Sequence, residues 1–189
     1  MKSLLLAAFL LLASLPGSSV EPDIEFFPVS RTSLMASMCL KFGWCPFLTD
    51  RNDASLLTLD AFYYAPDAEG LKDLFRFYAK RREFTNYMVD VWDCDDFARE
   101  FTHLSRVWHR LALGKGGAGL TVGTVYVKFD GDVSDLFPGS HALQSDYHVT
   151  NVVLASNGRW FWFEPQTGSF KPVESALYEG TITVLRIEL

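Results

Sequence analysis

Three side chains that can carry out covalent chemistry occur in order along this chain: a cysteine, a histidine and a glutamate. Cys94 lies in the segment DCDDFA, His148 in DYHVTNVVL and Glu164 in FEPQ. A thiolate can attack a carbonyl carbon, an imidazole can take the thiol proton, and a carboxylate can orient the imidazole. These residue types in this order predict a nucleophile, its base and the group that orients the base.

The position of Cys94 at the start of a helix favours the reactive form of its thiol. Apolar residues recur every three or four positions after Cys94, with Asp93 as the N-cap and Asp96 as the acidic member of a capping box. Helix N–H groups favour a thiolate, whereas Asp93, Asp95 and Asp96 oppose it by like-charge repulsion. A protonated histidine beside Cys94 is therefore required. The alternatives are a buried structural thiol and a calcium site at the acids, although no loop has calcium-motif spacing.

His148 opens an apolar strand that is predicted to form a hairpin with the strand carrying Glu164. The turn lies near Asn157 and Gly158, a pair typical of short hairpins. Counting outward from this turn makes His148 and Glu164 cross-strand neighbours, so Glu164 can bond one imidazole nitrogen and leave the other for Cys94. The alternatives are a structural strand histidine and an ordinary acid at a strand end.

Three other histidines are weaker choices for the base. His141, in a loop after Pro-Gly-Ser, is the second choice. His103 and His109 lie on the Cys94 helix, more than about two turns from the cysteine, and are expected on the surface. No histidine pair has zinc spacing and no second cysteine accompanies Cys94, so neither a metal nor a cofactor is expected.

The elements that must position these residues follow from periodicity. Helices are predicted over residues 71–82, with an exposed basic last turn, and from Cys94 to the glycine cluster at 114–117. Alternating, β-rich segments predict strands at residues 121–129, 146–155, 159–163 and 181–189. Residues 20–50 are expected to form an irregular arm, and residues 56–64 a short helix or a buried strand. Helices followed by a meandering antiparallel sheet predict an α+β fold, with residues 20–189 as one domain.

Composition excludes several classes of function. The 189 residues suit one domain with a sizeable core. The net charge is −6 and the acids are spread along the chain, which argues against a nucleic-acid partner. No basic amphipathic segment suggests binding to a membrane surface. Aromatic residues make up 15% of the chain, which predicts a densely packed interior, with a sugar- or peptide-binding groove as the alternative.

The N-terminus and the cysteine count predict an exported protein. Lys2 precedes an apolar run at residues 4–13, and PGSS follows, so residues 1–19 are predicted to be a signal peptide. The run is shorter than the roughly 20 residues that span a membrane. We therefore expect a secreted or periplasmic protein with no stable membrane insertion after cleavage. Cys39 and Cys45 are the natural disulfide pair, which leaves Cys94 free; other pairings, including one between chains, stay open.

The three motifs also resemble a known group of enzymes. DCDDFA at Cys94, His148 followed by Asn151, and FEPQTG at Glu164 are similar to papain-like and transglutaminase-like cysteine hydrolases. The closest likeness is the protease-like C-terminal domain of a fungal galactose-binding agglutinin, with related bacterial and phage domains. The resemblance covers residues 85–170 and implies that Cys94 is the nucleophile, His148 the base and Glu164 the orienting group. It also implies a helix-start nucleophile packed on an antiparallel sheet. The glutamate matches the agglutinin type, since most transglutaminase-like relatives carry Asp there and papain carries Asn.

Together these observations predict a secreted cysteine hydrolase, a peptidase or amidase, that takes a peptide or amide substrate through a thioester acyl-enzyme. The backbone N–H of Cys94 would supply one oxyanion-hole donor, and Asn86, Tyr87 and Gln166 are the choices for the second. With an amine in place of water the same site becomes a transamidase. The non-enzymatic alternative is a papain-like scaffold that binds glycans or surface partners through its aromatic residues.

Overall fold

The computed structural model describes residues 24–43, 61–83, 93–113, 119–139, 146–173 and 180–189. In these ranges the helices are α1 (Arg31–Phe42), α2 (Ala68–Arg81) and α3 (Cys94–Leu113). The strands are β1 (Phe26–Ser30), β2 (Phe62–Pro66), β3 (Gly119–Leu120), β4 (Val122–Phe129), β5 (Tyr147–Leu154), β6 (Trp160–Glu164), β7 (Ser169–Pro172) and β8 (Ile182–Glu188). The predicted α+β class is confirmed. No helix in these ranges is long and apolar enough to cross a membrane. The predicted signal peptide at residues 1–19 lies outside them.

Five strands form the main antiparallel sheet, in the order β7-β6-β5-β4-β8. Strands β4 to β7 follow one another as a meander, and β8 returns to pair with the far side of β4. The turn between β5 and β6 contains Gly158 at a φ of 78°, a conformation that glycine adopts without steric cost. The N–H of Gly158 donates to the carbonyl of Ala155 at 2.9 Å. The predicted hairpin is therefore present, and it places the strands of His148 and Glu164 side by side.

The expectation of an irregular arm at residues 20–50 is wrong for the described part of that segment. Residues 26–42 form β1 and α1, and β1 pairs with β2 in a second sheet that also contains β3. Helix α1 begins after Ser30, whose side chain accepts a hydrogen bond from the N–H of Ser33. It buries Leu34 and Met38 against the main sheet. The helix carries no strong apolar stripe, so tertiary packing rather than local pattern stabilises it.

Helices cover both faces of the main sheet. On one face α1 packs with Val152 and Trp162. On the other face α2 and α3 pack against Val153 and Phe163, and the Phe163 ring lies 4.1 Å from the ring of Phe101, between centroids. Successive residues of β5 point to opposite faces, so a strand covered on both sides is buried along most of its length, and its polar residues need hydrogen-bond partners. Many of the aromatic residues accordingly fill the interior.

His109 departs from its predicted surface position. Its side chain is 4% exposed and its ring lies 5.0 Å from the ring of Phe26 and 5.5 Å from that of Tyr64. These two aromatic residues belong to β1 and β2, which cover a flank of α3 that periodicity alone leaves open. The Nε2 atom of His109 is buried without a hydrogen-bond partner, and burial lowers the pKa of the ring. His103, in contrast, is exposed as predicted.

Replacing His109 by Phe is expected to raise the free energy of unfolding at neutral pH by about 1 kcal/mol, because it removes a buried nitrogen that lacks a partner. The gain should grow as the pH falls. Since the folded-state pKa of His109 is lowered, the stability it contributes above its unfolded pKa is lost as the pH falls through the folded pKa. Urea unfolding across mildly acidic pH measures the effect. The exposed control His103→Phe should show no such gain, and equal gains in both variants would contradict the explanation.

Candidate functional site

Cys94 is the first residue of α3, as predicted. The Asp93 carboxylate accepts a hydrogen bond from the N–H of Asp95 at 3.2 Å, and the Asp96 carboxylate accepts one from the N–H of Asp93 at 3.4 Å. The second bond is that of a capping box, whereas Asp93 caps the N–H of the second helical residue and not the third; together they set the point at which the helix begins. The Cys94 thiol is free and half-buried. Local capping therefore holds the thiol at the positive end of a helix of 20 residues.

His148 and Glu164 form a buried pair at one end of the main sheet. The Nε2 atom of His148 lies 2.6 Å from Oε2 of Glu164, and both side chains are 1% exposed. Because Asn151 is paired with Phe163, the register places Thr150 opposite Glu164, so His148 is the diagonal neighbour on the same face. The other carboxylate oxygen accepts the backbone N–H of Gln166 at 3.1 Å. His148 and Glu164 are therefore close together as predicted, but as diagonal and not directly opposite cross-strand neighbours.

The third side chain completes the group, since the Cys94 side chain lies close enough to the His148 imidazole to raise its pKa. Nε2 is engaged by Glu164, which leaves Nδ1 for the sulfur. The aromatic rings of Phe129 and Phe137 lie 6.0 Å and 5.3 Å from the imidazole, between centroids, and limit access of water to it. The structure thus brings the three residues together in the order cysteine, histidine, glutamate. Their catalytic roles stay predictions.

The surroundings of His148 favour the protonated imidazole. Burial acts to lower the pKa of His148, but hydrogen bonding and charge interactions with Cys94 and Glu164 outweigh burial and raise the pKa to about 9. The resulting imidazolium lies beside the thiol. Its positive charge would offset the repulsion between a Cys94 thiolate and the acidic residues around it.

The three acids around Cys94 have oxygen atoms within 4.8 Å of one another, and each carboxylate also has a protein partner. Asp93 and Asp96 accept the helix-start N–H groups described above, and Asp95 forms an ion pair with Arg99. The hydrogen bond between Asp95 and Asp93, with burial and the neighbouring charge, raises the pKa of Asp95 to about 6, although Arg99 opposes this shift. Capping and pairing account for these acids without a bound ion.

Of the other predicted residues, the structure describes some and leaves the rest outside its described ranges. Cys39 is disulfide-bonded, while its predicted partner Cys45 lies outside the described residues. His141, the second choice for the base, also lies outside them, as do Asn86 and Tyr87. Gln166, the remaining choice for the second oxyanion donor, donates its backbone N–H to Glu164. The oxyanion roles of Cys94 and Gln166 stay predictions.

Two residues that support Glu164 were missed by the sequence prediction. The hydroxyl of Tyr78 donates to the carbonyl of Pro165 at 3.2 Å, and Arg82 Nη1 donates to the carbonyls of Pro165 and Gln166, each at 3.3 Å. Burial raises the pKa of Tyr78, so the hydroxyl keeps its proton and remains a donor. Arg82 had been assigned to an exposed basic turn, and no periodicity signals that it binds a turn 83 residues away.

Comparison with known proteins identifies a similar fold. No model of a known protein family matches this chain, and no curated protein sequence matches it. Among solved structures, Polyporus squamosus lectin bound to the human-type influenza-binding epitope Neu5Aca2-6Galb1-4GlcNAc is 16% identical, with a TM-score of 0.54, over 85% of this chain and 49% of that chain. The PSL1a-E64 complex is 19% identical, with a TM-score of 0.50, over 76% of this chain and 45% of that chain. This chain spans about half the length of either.

The resemblance to a fungal galactose-binding agglutinin is confirmed at the level of fold and at low sequence identity, because both structures are of Polyporus squamosus lectin. The prediction of a cysteine protease, or thiol protease, is wrong: these neighbours are glycan-binding lectins and not cysteine proteases. Membership of a papain-like or transglutaminase-like superfamily is not shown. The physical reason is that three short motifs describe a reactive geometry, whereas a substrate class depends on surfaces that the motifs do not include.

His148 is expected to titrate near pH 9 in the wild-type protein. Cys94→Ala and Glu164→Gln each remove a hydrogen-bond partner that favours the imidazolium, so both variants should lower the pKa of His148. Titration of the imidazole carbon-bound protons by NMR measures the shift, with exposed His103 as the internal reference. Because the folded-state pKa is raised, the stability contributed by His148 is present below about pH 6.5 and lost as the pH rises through about 9. A wild-type midpoint near the ordinary histidine value would show that the ion pair does not form.

Proposed function

We propose that this protein performs acyl transfer, with Cys94 attacking a carbonyl carbon and carrying the acyl group as a thioester. The observation that supports this most directly is the buried His148–Glu164 pair in contact with a free thiol at a helix start. An imidazole oriented by a buried carboxylate has one nitrogen held and the other directed at the nucleophile. The proposal concerns the reaction at the thiol and does not extend to a protease.

The chemical steps use the three side chains in turn. The Cys94 thiolate forms a C–S bond with the carbonyl carbon while the carbonyl electron pair moves onto oxygen, where the backbone N–H of Cys94 stabilises the charge. The tetrahedral intermediate collapses, and protonated His148 gives its proton to the leaving group. Neutral His148 then takes a proton from the acceptor, which attacks the thioester and frees Cys94. Glu164 keeps the ring in place and stabilises the imidazolium. Water as acceptor makes the reaction a hydrolysis, and an amine makes it a transamidation.

The placement of the group supports the same proposal. The nucleophile starts α3, and the base lies on β5 of an antiparallel sheet against which that helix packs. A disulfide at Cys39 supports export to an oxidising compartment, since such bonds persist in secreted and periplasmic proteins.

Incubation with an activated acyl ester is expected to add one acyl group at Cys94, as detected by mass spectrometry of the intact and digested protein. Cys94→Ala should form no adduct, because no other group replaces the nucleophile. Glu164→Gln should retain slow acylation, reduced by about 10- to 10⁴-fold, since a mistuned orienting group costs up to this much in serine enzymes. The matched control Glu69→Gln, an exposed residue of α2, should acylate at the wild-type rate.

E64, which forms a complex with PSL1a, provides a second probe whose binding should block acylation of Cys94. Acylation of wild-type protein no faster than that of Cys94→Ala would overturn the acyl-transfer proposal. The digested protein locates the adduct, so modification elsewhere would count against Cys94 in the same experiment.

Glycan binding without catalysis is the second proposed function, and the comparisons favour it. Both similar structures are lectins, and one of them holds the trisaccharide Neu5Aca2-6Galb1-4GlcNAc. Because this chain spans about half the length of those proteins, the glycan is a proposed partner for this chain. Glycan binding would not require a thiol, which separates it from the acyl-transfer proposal.

Titration calorimetry with Neu5Aca2-6Galb1-4GlcNAc is expected to give saturable binding if the second function is present. Cys94→Ala should bind with the wild-type affinity, because a scaffold that only binds does not depend on the thiol. The isomer with an α2-3 linkage serves as the ligand control. Absence of saturable heat with the trisaccharide at millimolar concentration, the weak end of common affinities, would contradict glycan binding by this chain.

A further inference from the structure

A buried amide links the helix that starts at Cys94 to the strand that carries His148. Asn151 on β5 is 0% exposed. Its Nδ2 atom donates to the carbonyl of Ala98 at 3.1 Å and to that of Gly123 at 3.2 Å, and it lies 3.0 Å from the hydroxyl of Thr102. Ala98 and Thr102 belong to the second and third turns of α3, and Gly123 belongs to β4. One side chain therefore joins three elements.

The chemistry of these partners fixes the orientation of the amide. Two of them are backbone carbonyls, which can only accept, so the NH₂ group and not the oxygen of Asn151 must face them. The Oδ1 atom is left buried without a hydrogen-bond partner. A buried polar atom without a partner lowers the stability of the folded state. At this position the same side chain also forms the bonds that tie a helix to two strands. A hydroxyl pair between Thr102 and Thr124, at 2.9 Å, ties α3 to β4 a second time.

The rest of the contact between α3 and the sheet is apolar. Phe101 packs on Phe163, and such contact is non-directional, so by itself it leaves the helix free to shift along the sheet. His148 lies three residues before Asn151 and so points to the opposite face of β5. Apart from the bond between Cys94 and His148 themselves, the polar bonds centred on Asn151 tie the start of α3 to the strand of the base among the described residues.

We propose, on the basis of the proposed acyl-transfer function, that Asn151 is a positioning residue that sets the separation of the Cys94 sulfur from the His148 imidazole. Its bond to Ala98 acts one helical turn after the nucleophile, and its own strand fixes the base. Loss of the amide removes the directional bonds and leaves the carbonyls of Ala98 and Gly123 without this donor. A displacement of the reacting groups by about 1 Å can lower a rate by about 100-fold.

The test compares Asn151→Ala with a matched control, Thr121→Val. Thr121 is also 0% exposed, and its hydroxyl bonds the carbonyls of Leu154 and Tyr64, so the control loses buried hydrogen bonds that do not involve α3. Two quantities are measured on each folded variant: the rate of Cys94 alkylation by iodoacetamide at neutral pH and the NMR titration midpoint of His148. Thr102→Val removes one partner of Asn151 and the hydroxyl pair with Thr124 but keeps the amide, and it decides the question if Asn151→Ala does not fold.

Asn151→Ala is expected to slow alkylation by about 10- to 100-fold and to lower the titration midpoint of His148, because the thiol moves away from the ring. Thr121→Val should match the wild type in both quantities while losing thermal stability, and Thr102→Val should change in the direction of Asn151→Ala by a smaller factor. Wild-type values in folded Asn151→Ala or Thr102→Val, or equal losses in Thr121→Val, would overturn the positioning role and leave the acyl-transfer function standing. If wild-type Cys94 reacts no faster than in the unfolded chain, the acyl-transfer function fails and the positioning role fails with it.

Discussion

The buried pair of His148 and Glu164 is the interaction on which the arrangement of this protein depends. Moving a carboxylate and an imidazolium out of water is costly, and their mutual attraction compensates only when the remaining polar atoms also have partners. Here the second carboxylate oxygen accepts the N–H of Gln166, and Cys94 lies beside the imidazole. Removing any one partner leaves a buried charge less well satisfied, so the group behaves as a unit.

Elements on both faces of the main sheet hold this pair and the thiol in place. The hairpin of β5 and β6 brings the two side chains together at one end of the sheet, and α2 holds the turn after Glu164 through Tyr78 and Arg82. On the opposite side of β5, α3 is tied to the sheet by Asn151 and carries the thiol to the ring. The group is therefore supported by α2 at the turn after Glu164 and by α3 at the thiol.

Fold and site give separate information about this protein. The fold is shared with a fungal lectin about twice as long, at 16–19% identity, and a likeness of that kind does not transmit an activity. The site contains a free thiol and a carboxylate beside one buried imidazole, an arrangement suited to acyl transfer. The chemistry must accordingly be judged from the side chains, and the proposed glycan partner from direct binding.

The sequence by itself determined the elements whose signals are local. The 3.6-residue period of α2 and α3, the capping acids beside Cys94 and the glycine turn after β5 are short-range features, so the helix start and the hairpin could be predicted. Tertiary structure alone decided the helix at residues 31–42, the burial of His109, the diagonal contact of His148 with Glu164 and the use of Arg82 and Asn151. These depend on residues distant in the chain packing against one another, and no local period records such contacts.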